Sequence, residues 1–220
     1  MKVLVACEES QVVCKAFRER GHTAYSCDIL PCSGGHPEWH IKNKVEHILW
    51  NDHFLTEDNN LNWNPSGWDL MIAHPPCTYL SNSGVCHLYN TDGTRNESRW
   101  KLMREAAEFF KYLLYSQIPR IVIENPIQHK YAREAIGVGP GQIIQPWMFG
   151  HPEQKATCLW LKNIPALKET NNIYNEMKAL PDNKRQRLHY LPPSKDRQRI
   201  RSTTFKGIAD ALAEQYGVMP

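Results

Sequence analysis

A single thiol follows two prolines in His74-Pro75-Pro76-Cys77, and the tetrapeptide closes the apolar run Trp68-Asp69-Leu70-Met71-Ile72-Ala73. Such a run suits a strand buried on both faces, and the loop into which a strand of that kind empties is where open α/β sheets carry their chemistry. The prolines restrict the backbone and keep the residues before them extended, so Cys77 is held rather than mobile. A second apolar run, Arg120-Ile121-Val122-Ile123, ends in Glu124-Asn125-Pro126 and sets a carboxyl group at the same kind of strand end. The thiolate, not the thiol, is the nucleophile. A carboxyl group on a neighbouring strand end can supply a proton to the electrophile it attacks. Nucleophilic addition with proton donation is therefore the chemistry these residues could do.

The elements that must position this pair are legible from periodicity. Lys2 to Cys7 is continuous and apolar, as a buried parallel strand is. Val12, Val13, Ala16 and Phe17 then recur at helical spacing, with Gly21 as a stop, and Thr23-Ala24-Tyr25-Ser26-Cys27 reads as a second strand ending in Asp28. This β-α-β opening predicts a doubly wound, mostly parallel Rossmann-like α/β sheet. Trp100, Met103, Ala107, Phe110 and Leu114 define an amphipathic helix between the two chemical strands. Gln142-Ile143-Ile144 and Thr157 to Leu161 read as further strands, and Phe205, Ile208, Ala209, Leu212 and Ala213 as a closing helix. Residues 51–67, rich in Asn and Asp, read as a surface connection. The reading divides the chain into a catalytic domain, 1–163 with 201–220, and a small basic arm, 164–200, that carries Lys184-Arg185-Gln186-Arg187 and Lys195-Asp196-Arg197-Gln198-Arg199. Basic side chains beside a pocket neutralise phosphates and give salt-sensitive affinity for nucleic acid.

With 220 residues and a formal charge of +3, the chain is long enough for one core and lacks the basic excess of a constitutive nucleic-acid binder. Seven cysteines, an odd number with no CxxC pair, argue against a disulfide framework. No apolar stretch approaches the roughly 18 residues that cross a bilayer. The expectation is a soluble protein of a reducing cytoplasm with no membrane partner. Most of its histidines, among them His47, His53, His87, His129 and His189, lie in polar contexts and are expected at the surface. At the first two strand ends, Cys7-Glu8-Glu9-Ser10 and Asp28-Ile29 stand where a doubly wound sheet holds a nucleoside cofactor, and a carboxylate at the second end suits ribose hydroxyls.

Taken in order, these pieces resemble a compact, phage-type version of the cytosine C5 DNA methyltransferases, a class I methyltransferase-like family. His74-Pro75-Pro76-Cys77 is similar to the nucleophile loop, Glu124-Asn125-Pro126 to the Glu-Asn-Val element, and Gly150-His151-Pro152-Glu153-Gln154-Lys155-Ala156-Thr157 to the element that holds the cytosine oxygen. The resemblance implies that Cys77 adds to C6 of cytosine, that Glu124 engages N3, and that Asn125 and Lys155 complete the catalytic set. It implies S-adenosylmethionine as cofactor, bound by Cys7, Glu8, Glu9, Ser10, Asp28, Ile29, His74 and Pro75. It implies DNA as partner, a duplex with a flipped cytosine or a single strand, contacted by Pro76, Thr157, Arg199 and Arg201, in the cytoplasm of a bacterium or a phage-infected host cell. A free cytidine nucleotide as acceptor, and a catalytically silent nucleic-acid-binding relative, are the alternatives. A zinc site at Cys27, Cys32, His36 and His40 is a separate one.

Overall fold

Short, charge-poor runs rich in Val, Ile and Leu form the strands, because a central parallel strand is covered on both faces. The computed structural model describes residues 1–219. It opens with β1 (Lys2–Ala6), α1 (Val12–Arg18), β2 (Thr23–Asp28), β3 (His40–Lys42), α2 (Val45–Trp50), β4 (His53–Leu55), β5 (Leu61–Trp63) and β6 (Leu70–Ala73). It continues with α3 (Glu97–Leu114), β7 (Arg120–Pro126), α4 (Lys130–Ile136), β8 (Gln142–Ile144) and β9 (Thr157–Lys162). Helices α5 (Tyr174–Ala179), α6 (Asp182–Arg185), α7 (Arg197–Ser202) and α8 (Lys206–Gly217) complete it.

Seven strands form one sheet in the order β3-β2-β1-β6-β7-β9-β8. The pairs from β3 to β7 are parallel, and β9 runs antiparallel to both of its neighbours. The order reverses between β1 and β6, the switch point where doubly wound sheets open a crevice for ligands. Alternate residues face opposite layers. Val3, Val5, Leu70, Ile72 and Val122 pack beneath α1 and α8. Leu4, Ala6, Met71, Ala73, Ile121 and Ile123 pack beneath α3 and α4. The amphipathic run becomes α3, whose Trp100, Met103, Ala107, Phe110 and Leu114 are buried as the spacing requires, with Asn96 capping its first turn through Oδ1 (3.1 Å from the Arg99 amide).

Register decides which residues share the carboxyl edge. Ala6 pairs with Cys27 on one side and Ala73 on the other, and Ala73 pairs with Ile123. The residues one step further along each strand, Asp28, Cys7, His74 and Glu124, therefore form a single row.

One expectation needs correction. Residues 51–67 are not a bare connection but hold the β4–β5 hairpin, with Asn59 at a left-handed φ of 66° in its turn; strands of three residues, with Leu55, Leu61 and Trp63 exposed, leave no alternation to detect. Within residues 164–200, Leu167 is buried and Ile164 packs beside it under α8. The zinc candidates do not converge, because His40 directs Nδ1 at Ser26 Oγ (2.9 Å) and Nε2 at the Leu30 carbonyl (2.9 Å), and among the described residues no three His, Cys, Asp or Glu side chains could hold a metal. No helix among the described residues is long and apolar enough to cross a membrane.

Candidate active site

Cys77 sits half-buried just past β6, at the start of a turn whose amides at Leu80 and Ser81 both donate to the Cys77 carbonyl (3.0 and 2.9 Å). Asn125 Nδ2 donates to the Pro75 carbonyl at 2.9 Å, which ties this loop to the end of β7. Two side chains not anticipated from sequence brace it from below. Arg99 donates from Nη2 to the Thr78 carbonyl (2.9 Å) and lies over the Tyr79 ring (4.3 Å to the centroid). His129, expected at the surface, is buried: its Nδ1 accepts the Ala132 amide at the start of α4, so its Nε2 carries the proton and donates to the Tyr79 carbonyl (3.0 Å). Burial holds His129 below the ordinary imidazole range, which keeps it neutral in that role.

Glu124 is almost wholly enclosed. Its Oε2 lies 3.1 Å from His74 Nδ1 and accepts the Thr204 hydroxyl at 3.3 Å. Burial alone would push the carboxyl up; the hydrogen bond and charge of His74 outweigh it, with Lys155 and Thr204 adding to them, and hold Glu124 below the ordinary carboxylate range. For His74 burial works against the charge, yet Glu124 and then Glu8 raise the imidazole above its ordinary value. The two therefore form a buried ion pair. Lys155 donates from Nζ to the Arg201 carbonyl (2.9 Å), and its charge reaches both Glu124 and Cys77. Burial pushes the Cys77 thiol up; a backbone hydrogen bond, then Lys155 and Arg201, act in the opposite direction and favour the thiolate.

Three other thiols differ. Cys7 and Cys14 are raised further by burial, and Cys27 is pushed up to about 12. Such buried thiols behave as small apolar groups.

The loop from Cys7 to Gln11 contains no glycine, yet both of those residues adopt left-handed φ angles of 59°. Each such conformation in a residue with a Cβ costs on the order of 1–3 kcal/mol and persists only where its surroundings enforce it. Here side chains do so. Glu8 accepts the Val13 and Cys14 amides at 2.7 and 3.2 Å, committing its carboxylate to the first turn of α1. Gln11 binds Ser26 Oγ, the His36 backbone and the Cys32 thiol. Glu9 is left with a buried Oε2 that has no partner. Asp28 uses Oδ1 for the Leu30 amide (2.9 Å), beside the exposed Ile29 and Leu30.

Of the expected substrate contacts, Pro76 is exposed beside Cys77, Thr157 is buried in β9, and Arg199 is exposed and paired with Asp196 (3.1 Å). Arg201 is half-buried at the rim. The segment that carries Thr204 to Glu124 is fixed by a close approach: the Gly207 amide donates to His151 Nε2 at 2.9 Å, and a Cβ there would meet the Phe149 carbonyl oxygen at 2.0 Å. Gly207→Ala is expected to cost about 3 kcal/mol, which lowers Tm by roughly 6–12 °C. Thermal unfolding followed by circular dichroism checks this; an unchanged Tm would mean that the segment yields freely.

No family model matches the chain, and no curated protein is similar to it in sequence. Among solved structures, the chain is similar to a prophage-encoded protein of E. coli provisionally described as a DNA modification methyltransferase, at 14% identity and a TM-score of 0.43, over 83% of this chain and 56% of that one. The chain thus spans little more than half of that protein's length, and at this identity and score the likeness assigns it no chemistry.

Proposed function

We propose that this chain transfers a methyl group from S-adenosylmethionine to C5 of cytosine in DNA, through a covalent bond between Cys77 and C6 of the base. One observation carries the reading: a half-buried thiol and an enclosed carboxyl group, distant in sequence, share a charged neighbourhood with Lys155 at the carboxyl ends of two adjacent parallel strands. Cys77 is the nucleophile, and Lys155 and Arg201 favour its thiolate. Glu124 meets N3, and its proton neutralises the ring as the thiolate adds. Asn125 keeps the Cys77 loop against β7, so the two groups approach opposite sides of one ring. Because C6 is inaccessible in a duplex, the base must leave the stack, which costs a few kcal/mol.

The residues at the cofactor end fit S-adenosylmethionine. It carries a sulfonium and an ammonium but no phosphate, so a loop with an unpartnered buried carboxylate oxygen on Glu9 suits it where a phosphate cradle would not. Asp28 offers its second carboxylate oxygen to ribose hydroxyls, and exposed Ile29 an apolar surface to adenine. When bound, the cofactor supplies the electrophilic methyl group. Glu8, engaged with the α1 amides, acts on this site as a shaping residue. Incubation with tritiated cofactor and three acceptors (duplex DNA, single-stranded DNA and dCMP) tests the proposal. Label in either DNA supports it, label in dCMP alone moves the acceptor to a nucleotide, and label in none would overturn it.

The basic segment gives a second expectation. Lys184 and Lys195 are exposed, so each releases counterions when it meets a phosphate. Removing both by alanine substitution is expected to reduce the slope of log affinity against log salt by about 2 without altering sequence preference. Fluorescence anisotropy over a salt series measures it, and an unchanged slope would place the DNA elsewhere.

A further inference from the structure

Resting on the cytosine reading, we propose that His74 is the proton reservoir of Glu124: it holds, one hydrogen bond away, the proton that Glu124 delivers to N3 of the base. Glu124 must donate a proton when Cys77 adds, yet its surroundings hold it ionised. The nearest group able to resupply it is the imidazole at 3.1 Å.

The geometry suits this task. His74 and Thr204 both bind Oε2, which leaves Oε1 of Glu124 outside these contacts. His74 makes no other side-chain hydrogen bond, because its Nε2 is buried without a partner. An imidazolium with one unpaired N–H gives up its charge more readily than one held at both ends. The charged groups that reach it are Glu124 from β7, Glu8 from the loop after β1, and Lys155 ahead of β9. The two carboxylates favour the imidazolium in the free protein, while Lys155 opposes it.

The exchange balances. As the thiolate forms the bond to C6, the C5–C6 π pair shifts to C4–C5 and the C4–N3 pair moves onto N3. The Nδ1–H bond of His74 breaks to hand its proton to the Glu124 carboxylate, and the carboxyl group so formed gives that proton to N3. The result is a neutral imidazole, an ionised Glu124 and a neutral enamine. When the product leaves, N3 returns the proton along the same path. His74 touches no reacting atom and is a positioning and proton-holding residue rather than a catalytic one.

The test uses the full chain labelled with ¹⁵N-histidine and a duplex containing 5-fluorocytosine, whose C5 substituent cannot leave as a proton, so that the adduct accumulates in the presence of cofactor. The His74 nitrogen shifts are expected to report an imidazolium in the free protein and a neutral ring in the adduct. In parallel, His74→Asn, which keeps a donor near Oε2 but cannot release a proton, is expected to lower the single-turnover rate of methyl transfer at least tenfold and to displace the pH profile. His74→Ala serves the same comparison should the asparagine variant not fold. An adduct in which His74 remains charged, together with a pH profile unmoved by either substitution, would overturn the reservoir while leaving the cytosine reading intact. Failure of the wild-type chain to form any adduct would overturn both.

Discussion

Cys77→Ser abolishes methyl incorporation into DNA, with an expected loss on the order of 10⁴-fold or more. The reasoning rests on ionisation. Burial already pushes the thiol up, and a backbone hydrogen bond, then Lys155 and Arg201, oppose it; a serine hydroxyl is a far weaker acid than a thiol, so the same groups cannot make an alkoxide of it. The fold should survive, because the loop is held by the Cys77 carbonyl and by Asn125 rather than by the sulfur. The variant is therefore expected to retain the wild-type Tm and DNA affinity while losing both turnover and the covalent complex with 5-fluorocytosine DNA. Filter-bound tritium and denaturing electrophoresis measure these separately. Wild-type-like turnover by the serine variant would remove the nucleophile from the account.

Glu124→Gln is expected to lower turnover by about 10² to 10⁴-fold, the range for loss of a positioned acid. The amide retains the shape of the side chain and can still accept from Thr204, but it has no proton to give N3. A second effect separates this substitution from a simple defect of binding. Without the carboxylate, the enclosed His74 loses the partner that raises it, and burial then dominates and lowers it. An imidazole lowered in the folded state takes up protons preferentially when unfolded, so the variant loses stability as the pH falls through the unfolded value near 6.5 and approaches wild-type stability above it. Rates measured above neutrality, where the variant is folded, isolate the chemical loss. Equal Tm deficits at low and high pH would contradict the buried ion pair.

How much of this was legible in the sequence differs from one element to the next. β1, β6 and β7 were visible because apolar runs broken by polar or proline-rich loops have few other uses, and their succession with helices between them implied a doubly wound sheet. Once those strands are parallel and in register, Cys7, Asp28, His74 and Glu124 must share one edge, so the convergence of Pro-Pro-Cys with Glu-Asn-Pro follows from topology. The supports of the site were not visible. His129 stands in a polar stretch that reads as surface, and only the folded chain brings it beneath Tyr79, 50 residues away, to hold that carbonyl. Arg99 looks like one charge among many on α3. Glu8 and Glu9 are indistinguishable as letters; the backbone sends one to the amides of α1 and leaves the other with an unpartnered oxygen. Side-chain hydrogen bonds between distant segments obey no period, which is why pattern finds the frame and misses its braces.

The left-handed Cys7 and Gln11 illustrate the same limit from the other side. A glycine-free loop argues against a tight turn after the first strand, because glycine is the residue that takes such angles without cost. The turn forms nonetheless, since the Gln11 amide engages both the Ser26 hydroxyl and the His36 carbonyl and so ties β2 to the 29–39 loop.

The central claim is most directly tested by hydrolysing DNA to nucleosides after incubation with this chain and S-adenosylmethionine, and identifying the methylated product by mass spectrometry against authentic standards. The account predicts 5-methyldeoxycytidine from the wild-type chain and none from Cys77→Ser. Methyl groups found on the exocyclic amine of cytosine or adenine, or 5-methyldeoxycytidine formed equally well without the thiol, would contradict it.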